Sequence, residues 1–286
     1  MLEALDPSFS ALVGQEPKAR LIKSGLKFTE GPTWLPGAQC FVFSDIPADT
    51  IYQWPEEGGV KEFRKPSHGA NGNATDREGR LVTCEHSSRS ITRTEKDGKV
   101  ETIAATYMGK KLSSPNDVVA KSDGTVWFTD PPYGVPKGEA KEQDKNRVYR
   151  IDPGAKEPVS VVDDFNMPNG LCFSPDEKVL YIADSGKPHH IRRFKVKADN
   201  TLEGGEVFVT IQPGGPDGIR CDKDGRLWSS AGDGVHVFSP EGKLLGKIKT
   251  PDTPANLAFG GKDMKTLFIT SRTTVWVVEV LVSGAK

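Results

Sequence analysis

The chain has 286 residues and a formal net charge of −1, with 27% charged and 36% hydrophobic residues. That balance gives no electrostatic case for binding nucleic acid or an anionic membrane surface, and no apolar run approaches the roughly 20 residues of a transmembrane helix. Its 30 glycines and 21 prolines are dispersed, which suits a fold of many turns rather than a linker or low-complexity tract.

The chain opens with "MLEALDPSFSALVGQEPKAR". A basic n-region followed by an apolar h-region is missing there, so no secretion signal is read and a cytoplasmic location is expected. Residues 1–15 are expected as a tail or short helix, and residues 16–286 as a single domain. Cys40, Cys84, Cys172 and Cys221 lie in or beside apolar strand-like runs without a C-x-x-C pair, so they are read as buried free thiols.

From residue 30 onward one plan repeats six times. The segments are "EGPTWLPGAQCFVFSDI" from Glu30, "NGNATDREGRLVTCEHS" from Asn71, "NDVVAKSDGTVWFTDPP" from Asn116, "NGLCFSPDEKVLYIADS" from Asn169, "DGIRCDKDGRLWSSAGD" from Asp217 and "NLAFGGKDMKTLFITSR" from Asn256. Each has a polar opener, a short mostly apolar run, a tight turn and a second strand rich in Val, Leu, Phe, Trp or Tyr. Asp-Gly between two such runs signals a hairpin, because the turn needs residues that tolerate positive φ. The openers are spaced 41, 45, 53, 48 and 39 residues apart, which leaves room for two more strands per unit, such as "RVYRID", "HIRRFKV" and "GVHVFSP". Four short antiparallel strands per repeat of about 40 to 50 residues point to an all-β, six-bladed β-propeller around a central channel. "RLIKSG" near the start and "TVWVVEVLVSG" near the end are apolar enough to pair and close the ring, removing an exposed edge.

In a propeller the first strand of each blade lines the channel. The register therefore places Glu30, Asn71, Asn116, Asn169, Asp217 and Asn256 at one level, as a ring of carboxylates and carboxamides. Any one of them could serve only as a turn or strand cap; six together argue for a site. Two carboxylates in a partly buried channel repel unless a cation or proton lies between them. Glu30, Asp217 and Asn169 supply hard oxygen donors, with Asn116 binding directly or through water. That set favours Ca²⁺, with Mg²⁺, Mn²⁺ or Zn²⁺ as possible substitutes.

Four stretches, "FTEGPTW", "SSPNDVVAKSDGTVWFTDPPYG", "MPNGLCFSPDEKVLYIADSG" and "PDGIRCDKDGRLW", resemble the senescence-marker-protein/gluconolactonase family (SMP-30/gluconolactonase/LRE-like), most closely its bacterial gluconolactonases. The resemblance runs from about residue 20 to the end. It implies a six-bladed propeller with one divalent cation in the channel, hydrolysing sugar lactones. By resemblance Glu30, Asn169 and Asp217 match the metal ligands, Asp217 also the catalytic base, and Asn116 a residue touching metal or substrate. Asp117 matches a group supporting the site, and Tyr133 in "PPYG" a residue at the pocket mouth. Animal members carry an Arg two residues before the position of Asn116, where this chain has Ser114, and that puts the sugar preference in question.

His68 stands three residues before Asn71 and is a candidate substrate contact, as is Asn71 itself. His189 and His190, adjacent on a strand, would point to opposite faces and make a poor chelate. No G-x-S-x-G elbow anchors a serine hydrolase. The insert "PKGEAKEQDKN", residues 136–146, is expected as a surface loop or a lid. The expected partner is a small-molecule sugar lactone, with no nucleic acid and no membrane. The competing readings are a propeller enzyme acting on other lactones or phosphotriesters, and a non-catalytic interaction scaffold.

Overall fold

The computed structural model of the chain describes residues 2–17 and 19–285. Among the described residues six larger antiparallel sheets succeed one another along the chain, with a two-stranded ribbon, Thr106–Tyr107 and Lys110–Lys111, between the second and third. Blade 1 comprises Thr29–Leu35, Cys40–Asp45, Thr50–Pro55 and Lys61–Arg64; blade 2 comprises Ala70–Thr75, Leu81–Glu85, Ser90–Thr94 and Val100–Ala104. Blade 3 is Val118–Ala120, Val126–Asp130, Arg147–Ile151 and Val159–Val162; blade 4 is Pro168–Phe173, Val179–Asp184, His190–Val196 and Leu202–Thr210. Blade 5 contains Ile219–Cys221, Leu227–Ala231, Gly234–Phe238 and Leu244–Ile248, and blade 6 contains Asn256–Gly260, Thr266–Ser271 and Thr274–Glu279. The fold is the six-bladed β-propeller that the repeat predicts.

The ring closes through the N-terminal segment. Ala19–Lys23 adds the outer strand of blade 6, with Ala19 opposite Val278 and Leu21 opposite Trp276. Leu2–Ala4 adds a fifth strand to blade 5, with Leu2 opposite Ile248. Between them lie a 3-10 turn, Pro7–Phe9, and a four-residue helix, Ser10–Val13. Phe9, Leu12 and Val13 are buried against Trp228, Leu245, Leu257 and Leu267 at the junction of blades 5 and 6. Burying such side chains contributes about 1.5–3 kcal/mol each, so this short segment holds its place through packing rather than helix propensity.

Blade faces pack on one another to form the core. Trp127 of blade 3 meets Leu171, Leu180 and Ile182 of blade 4; Trp228 of blade 5 meets Phe259 of blade 6 edge-on at 5.2 Å between ring centroids. The hairpin turns behave as their sequences require. In Ser122-Asp123-Gly124, Gly124 takes φ +89° and Asp123 Oδ1 accepts from the Thr125 N–H at 3.0 Å. All four cysteines are buried and free. No helix among the described residues is long and apolar enough to cross a membrane.

The inner strands carry a local irregularity that matters for function. Glu30 pairs with Ser44 and Thr33 with Val42, so two intervening residues on the inner strand face one on its neighbour. The same excess occurs between Ala70 and Asn73, and between Pro168 and Leu171. Bulges re-aim side chains and bend strands, and here they fall on Gly31-Pro32, directly after Glu30, and on Asn71-Gly72 and Asn169-Gly170.

Candidate active site in the channel

Glu30, Asn71, Asn169 and Asp217 are each followed by a glycine that touches the next blade. The Gly72 N–H donates to the Asn116 carbonyl at 2.8 Å, and Gly170 N–H to the Asp217 carbonyl at 3.1 Å. A Cβ on Gly31 would lie 2.0 Å from the Asn71 carbonyl oxygen, and one on Gly170 would lie 2.1 Å from that of Asp217. The glycine after Asn, Asp or Glu is therefore required by the close approach of neighbouring backbones. This explains the recurring Asn-Gly as more than a turn.

Blade 6 is offset by one residue. Gly218 N–H donates to the Ala255 carbonyl at 2.9 Å, so Ala255, not Asn256, stands level with Asp217. Asn256 instead matches Asp117 of the opposite blade. Each accepts the following backbone N–H on its own Oδ1, Val118 at 2.9 Å and Leu257 at 2.8 Å. Asn256 Nδ2 then reaches Glu30 Oε2 at 3.1 Å and Asp117 Oδ2 at 3.4 Å, plugging the channel below the ring.

The five remaining ring residues come together. Asn71 Nδ2 donates to Asn116 Oδ1 at 2.7 Å, and Asn116 Nδ2 to Asn169 Oδ1 at 2.6 Å. Asn169 Nδ2 donates to Ser185 Oγ at 2.9 Å, which donates to the Pro216 carbonyl at 2.5 Å. Glu30 is buried, and both its hydrogen bonds, from Gly31 N–H at 2.8 Å and from Asn256, fall on Oε2. Burial, reinforced by the Asp117 charge, raises the Glu30 carboxyl to about 7. Burial, then the charges of Glu30 and Asp117, holds Asp217 well above the usual carboxylate range. Among the described residues no Lys or Arg forms an ion pair with either; the nearest guanidinium, Arg220, lies 3.6 Å from Asp117 Oδ2.

This donor set fits a hard divalent cation: one buried and one partly buried carboxylate, without a basic ion-pair partner among the described residues, flanked by carboxamide oxygens. Among the described residues no three His, Cys, Asp or Glu side chains form a ligand cluster, so carboxamide oxygens must complete any such site.

Tyr133 is 49% exposed at the mouth. Its hydroxyl lies beside Ser185 and Asn169, and partial burial followed by the Asp217 charge pushes its phenol up to about 12. His68 sits exposed on the loop before Asn71 with φ +56°. The imidazole that touches the ring is His86, whose Nε2 lies 3.0 Å from Asn71 Nδ2. Burial lowers its pKa to about 4. Ser114 does not project toward a sugar. Its hydroxyl donates to the Pro131 carbonyl at 2.6 Å and accepts the Gly134 N–H at 2.8 Å, stapling the "PPYG" loop. The 136–146 insert is tied to Arg89 of blade 2 and to the strand Lys110–Lys111 that follows that blade. Arg89 Nη1 donates to Glu139 Oε2 at 2.9 Å, and Gln143 Nε2 to the Lys110 and Lys111 carbonyls, each at 3.1 Å.

A separate cavity of about 600 Å³ opens at the far end of the inner strands, lined by Trp34, Arg77, Lys121, Phe173, Arg220 and Phe259 among others. None of the ring residues lines it, though Arg220 on its wall lies 3.6 Å from Asp117 Oδ2.

The model of the SMP-30/Gluconolactonase/LRE-like region matches residues 28–273. The chain belongs to that family. Among its relatives is a gluconolactonase of Zymomonas mobilis, 31% identical over 93% of this chain and 82% of that protein. A 6-deoxy-6-sulfogluconolactonase of Pseudomonas putida is 28% identical over 85% of this chain and 82% of its own length. Among solved structures, a gluconolactonase of Xanthomonas campestris superposes with a TM-score of 0.93 at 35% identity, covering 98% of this chain and 94% of that one.

Within this SMP-30/gluconolactonase scaffold, sequence reasoning passes over the residues that hold the ring in place. Asp45 accepts the Lys27 and Phe28 N–H groups at 2.9 and 3.0 Å. Asp130 accepts those of Ser113 and Ser114, both at 2.8 Å, and Asp184 those of Asn166 and Met167, both at 2.9 Å. In every case the clamped pair lies three and two residues before an opener: Glu30, Asn116 or Asn169. Ser44 and Thr129, the residues before two of these aspartates, donate across to the Asn71 and Asn169 carbonyls at 2.7 and 2.8 Å. The signal is present in the repeat as "FSD", "FTD" and "IAD" at the end of each second strand.

Proposed function

We propose that this chain opens the ester of a sugar lactone at the ring end of its channel, as a metal-dependent, gluconolactonase-like hydrolase. Glu30, Asn169 and Asp217 would hold one divalent cation, with Asn116 as a further donor. Ca²⁺ suits this oxygen set best, and Mg²⁺, Mn²⁺ and Zn²⁺ are substitutes. The observation that carries the reading is the pair of buried Glu30 and partly buried Asp217, each raised by desolvation and by neighbouring carboxylates, with no ion-pair partner among the described residues. Polarisation of the lactone carbonyl, and of the charge developing on its oxygen, is the chemistry such a cation supplies when bound.

The chain's own residues do the rest. Asp217 takes a proton from the attacking water, acting as base. The water oxygen adds to the carbonyl carbon, the ring C–O bond breaks, and the proton passes to the departing alkoxide, giving the free hydroxy acid. Asn116, held on both sides by Asn71 and Asn169, presents a fixed amide to the substrate. Tyr133, Asn71 and His68 are the candidate sugar contacts at the mouth.

Proton release from a panel of glucono-δ-lactone, xylonolactone, a simple aliphatic lactone and an activated phosphotriester tests this. Cation-stimulated turnover fastest on the sugar lactones supports it. Faster turnover of the phosphotriester transfers the site to other chemistry, and no turnover of any substrate favours an interaction scaffold.

A further inference from the structure

We infer that Ser185 is a positioning residue, which fixes the direction of the whole carboxamide chain and so turns the Asn169 and Asn116 oxygens to the place where the proposed reaction needs them. The inference rests on the hydrolase reading for its functional meaning. Its structural basis is the order Asn71, Asn116, Asn169, Ser185, Pro216, in which each group donates to the next at 2.7, 2.6, 2.9 and 2.5 Å.

The last member decides the direction. A main-chain carbonyl can only accept, so the one hydrogen of Ser185 is committed to Pro216. Its oxygen must then accept, and only the NH₂ side of Asn169 can donate to it. That places Asn169 Oδ1 toward Asn116, whose own NH₂ must point there, leaving Asn116 Oδ1 to accept from Asn71. The second hydrogen on Asn71 Nδ2 faces His86 Nε2. A carboxamide can flip by half a turn at little steric cost, exchanging a cation-binding oxygen for a repelling NH₂. The Asp217 carboxylate and the Tyr133 hydroxyl also face Asn169; within the row itself, Ser185 Oγ is the acceptor that fixes which end of Asn169 points toward Asn116. Ser185 is well placed for the task. The adjacent Asp184 fixes the loop leading to Asn169 and also accepts the Gly186 N–H at 2.9 Å, while Ser185 N–H donates to the Met167 carbonyl at 3.0 Å.

The test compares the parent, Ser185→Ala and Ser185→Thr as full chains. One readout needs neither cation nor substrate: hydrogen exchange of the Asn169 side-chain amide in cation-stripped protein, followed by NMR. The Asn73 side-chain amide, bonded to the Gly31 and Asn71 carbonyls and to Ser44 Oγ, is the internal control. Ser185→Ala is expected to speed exchange at Asn169 about tenfold while Asn73 is unchanged, and Ser185→Thr to restore the parent rate. Calcium affinity, read by calorimetry, is expected to fall by about 10- to 100-fold in Ser185→Ala. Unchanged exchange at Asn169, or equal acceleration at Asn73, overturns the inference. A parent that binds no cation and turns over no lactone defeats the hydrolase reading instead, and the exchange comparison still decides the role of Ser185.

Discussion

Asn116 and Asn169, 53 residues apart and on adjacent blades, share a hydrogen bond of 2.6 Å between Nδ2 and Oδ1. The bond is short because neither residue is free to move: Asp130 holds the loop before one, and Asp184 the loop before the other. Site geometry in this propeller is thus set by carboxylates at the ends of the second strands, one strand removed from the channel.

The paired acids Glu30 and Asp217 make a first prediction. Asp217→Asn should lower lactone turnover by about 10²- to 10⁴-fold, the usual contribution of a positioned base. It should leave the fold intact. Because burial and neighbouring carboxylates disfavour the charged form of Asp217, the variant should melt no lower than the parent in chelator. Thermal melts with and without excess Ca²⁺ check this: the parent should gain stability from the cation, and the variant should gain little.

The loop clamps make a second. Asp130→Ala leaves the Ser113 and Ser114 N–H groups without their acceptor in a buried setting. A stability loss of about 1–3 kcal/mol is expected in urea unfolding. Because Asn116 follows directly, activity should fall in the fraction that remains folded, with the larger effect on KM if Asn116 orients substrate.

Close approach of the blades makes a third. Gly170 has ordinary φ, so any penalty for a side chain there comes from contact alone. Gly170→Ala would set a Cβ 2.1 Å from the Asp217 carbonyl, whereas Gly37→Ala meets nothing within 4 Å. Urea titration should show a loss of about 1–3 kcal/mol or more for the first and almost none for the second.

Much of this architecture is written in the sequence because it depends on local chemistry. Asp-Gly turns and alternating apolar runs announce hairpins, and their spacing announces blades. Glu30, Asn116, Asn169 and Asp217 share a channel because they share a position in that repeat. Asn256 shows where the pattern misleads. Aligning by polar residue cannot see that backbone register places Ala255 at the ring level, since alanine carries no donor to mark the place. His86 escapes notice because its role depends on a contact with Asn71 and on the "PPYG" loop folding over it; a Cβ on Gly134 would lie 2.1 Å from its Cγ. The Leu2–Ala4 strand is too short to leave a periodic signal and exists only because blade 5 offers an edge.

His86 gives a fourth prediction, with a definite sign. Its folded pKa is about 4 because burial penalises the imidazolium, against about 6.5 in an unfolded chain. Between these values the unfolded state holds a proton that the folded state lacks. Stability from this group therefore falls as pH drops from about 6.5 toward 4, by up to about 3 kcal/mol, and is fully present above that window. His86→Gln keeps an acceptor for Asn71 but does not titrate. The difference in unfolding free energy between parent and variant should shrink by that amount across the window, even though Glu30 titrates in the opposite sense in both.

If Glu30, Asn169 and Asp217 hold a cation that lactone hydrolysis requires, turnover must follow the loading of that cation. The most direct measurement is proton release from glucono-δ-lactone by chelator-stripped protein titrated with Ca²⁺, with Asp217→Ala alongside. Turnover is expected to be absent in chelator, to saturate as Ca²⁺ is added, and to stay absent in the variant at every concentration. Full turnover in chelator, or an Asp217→Ala protein as fast as the parent, would contradict it.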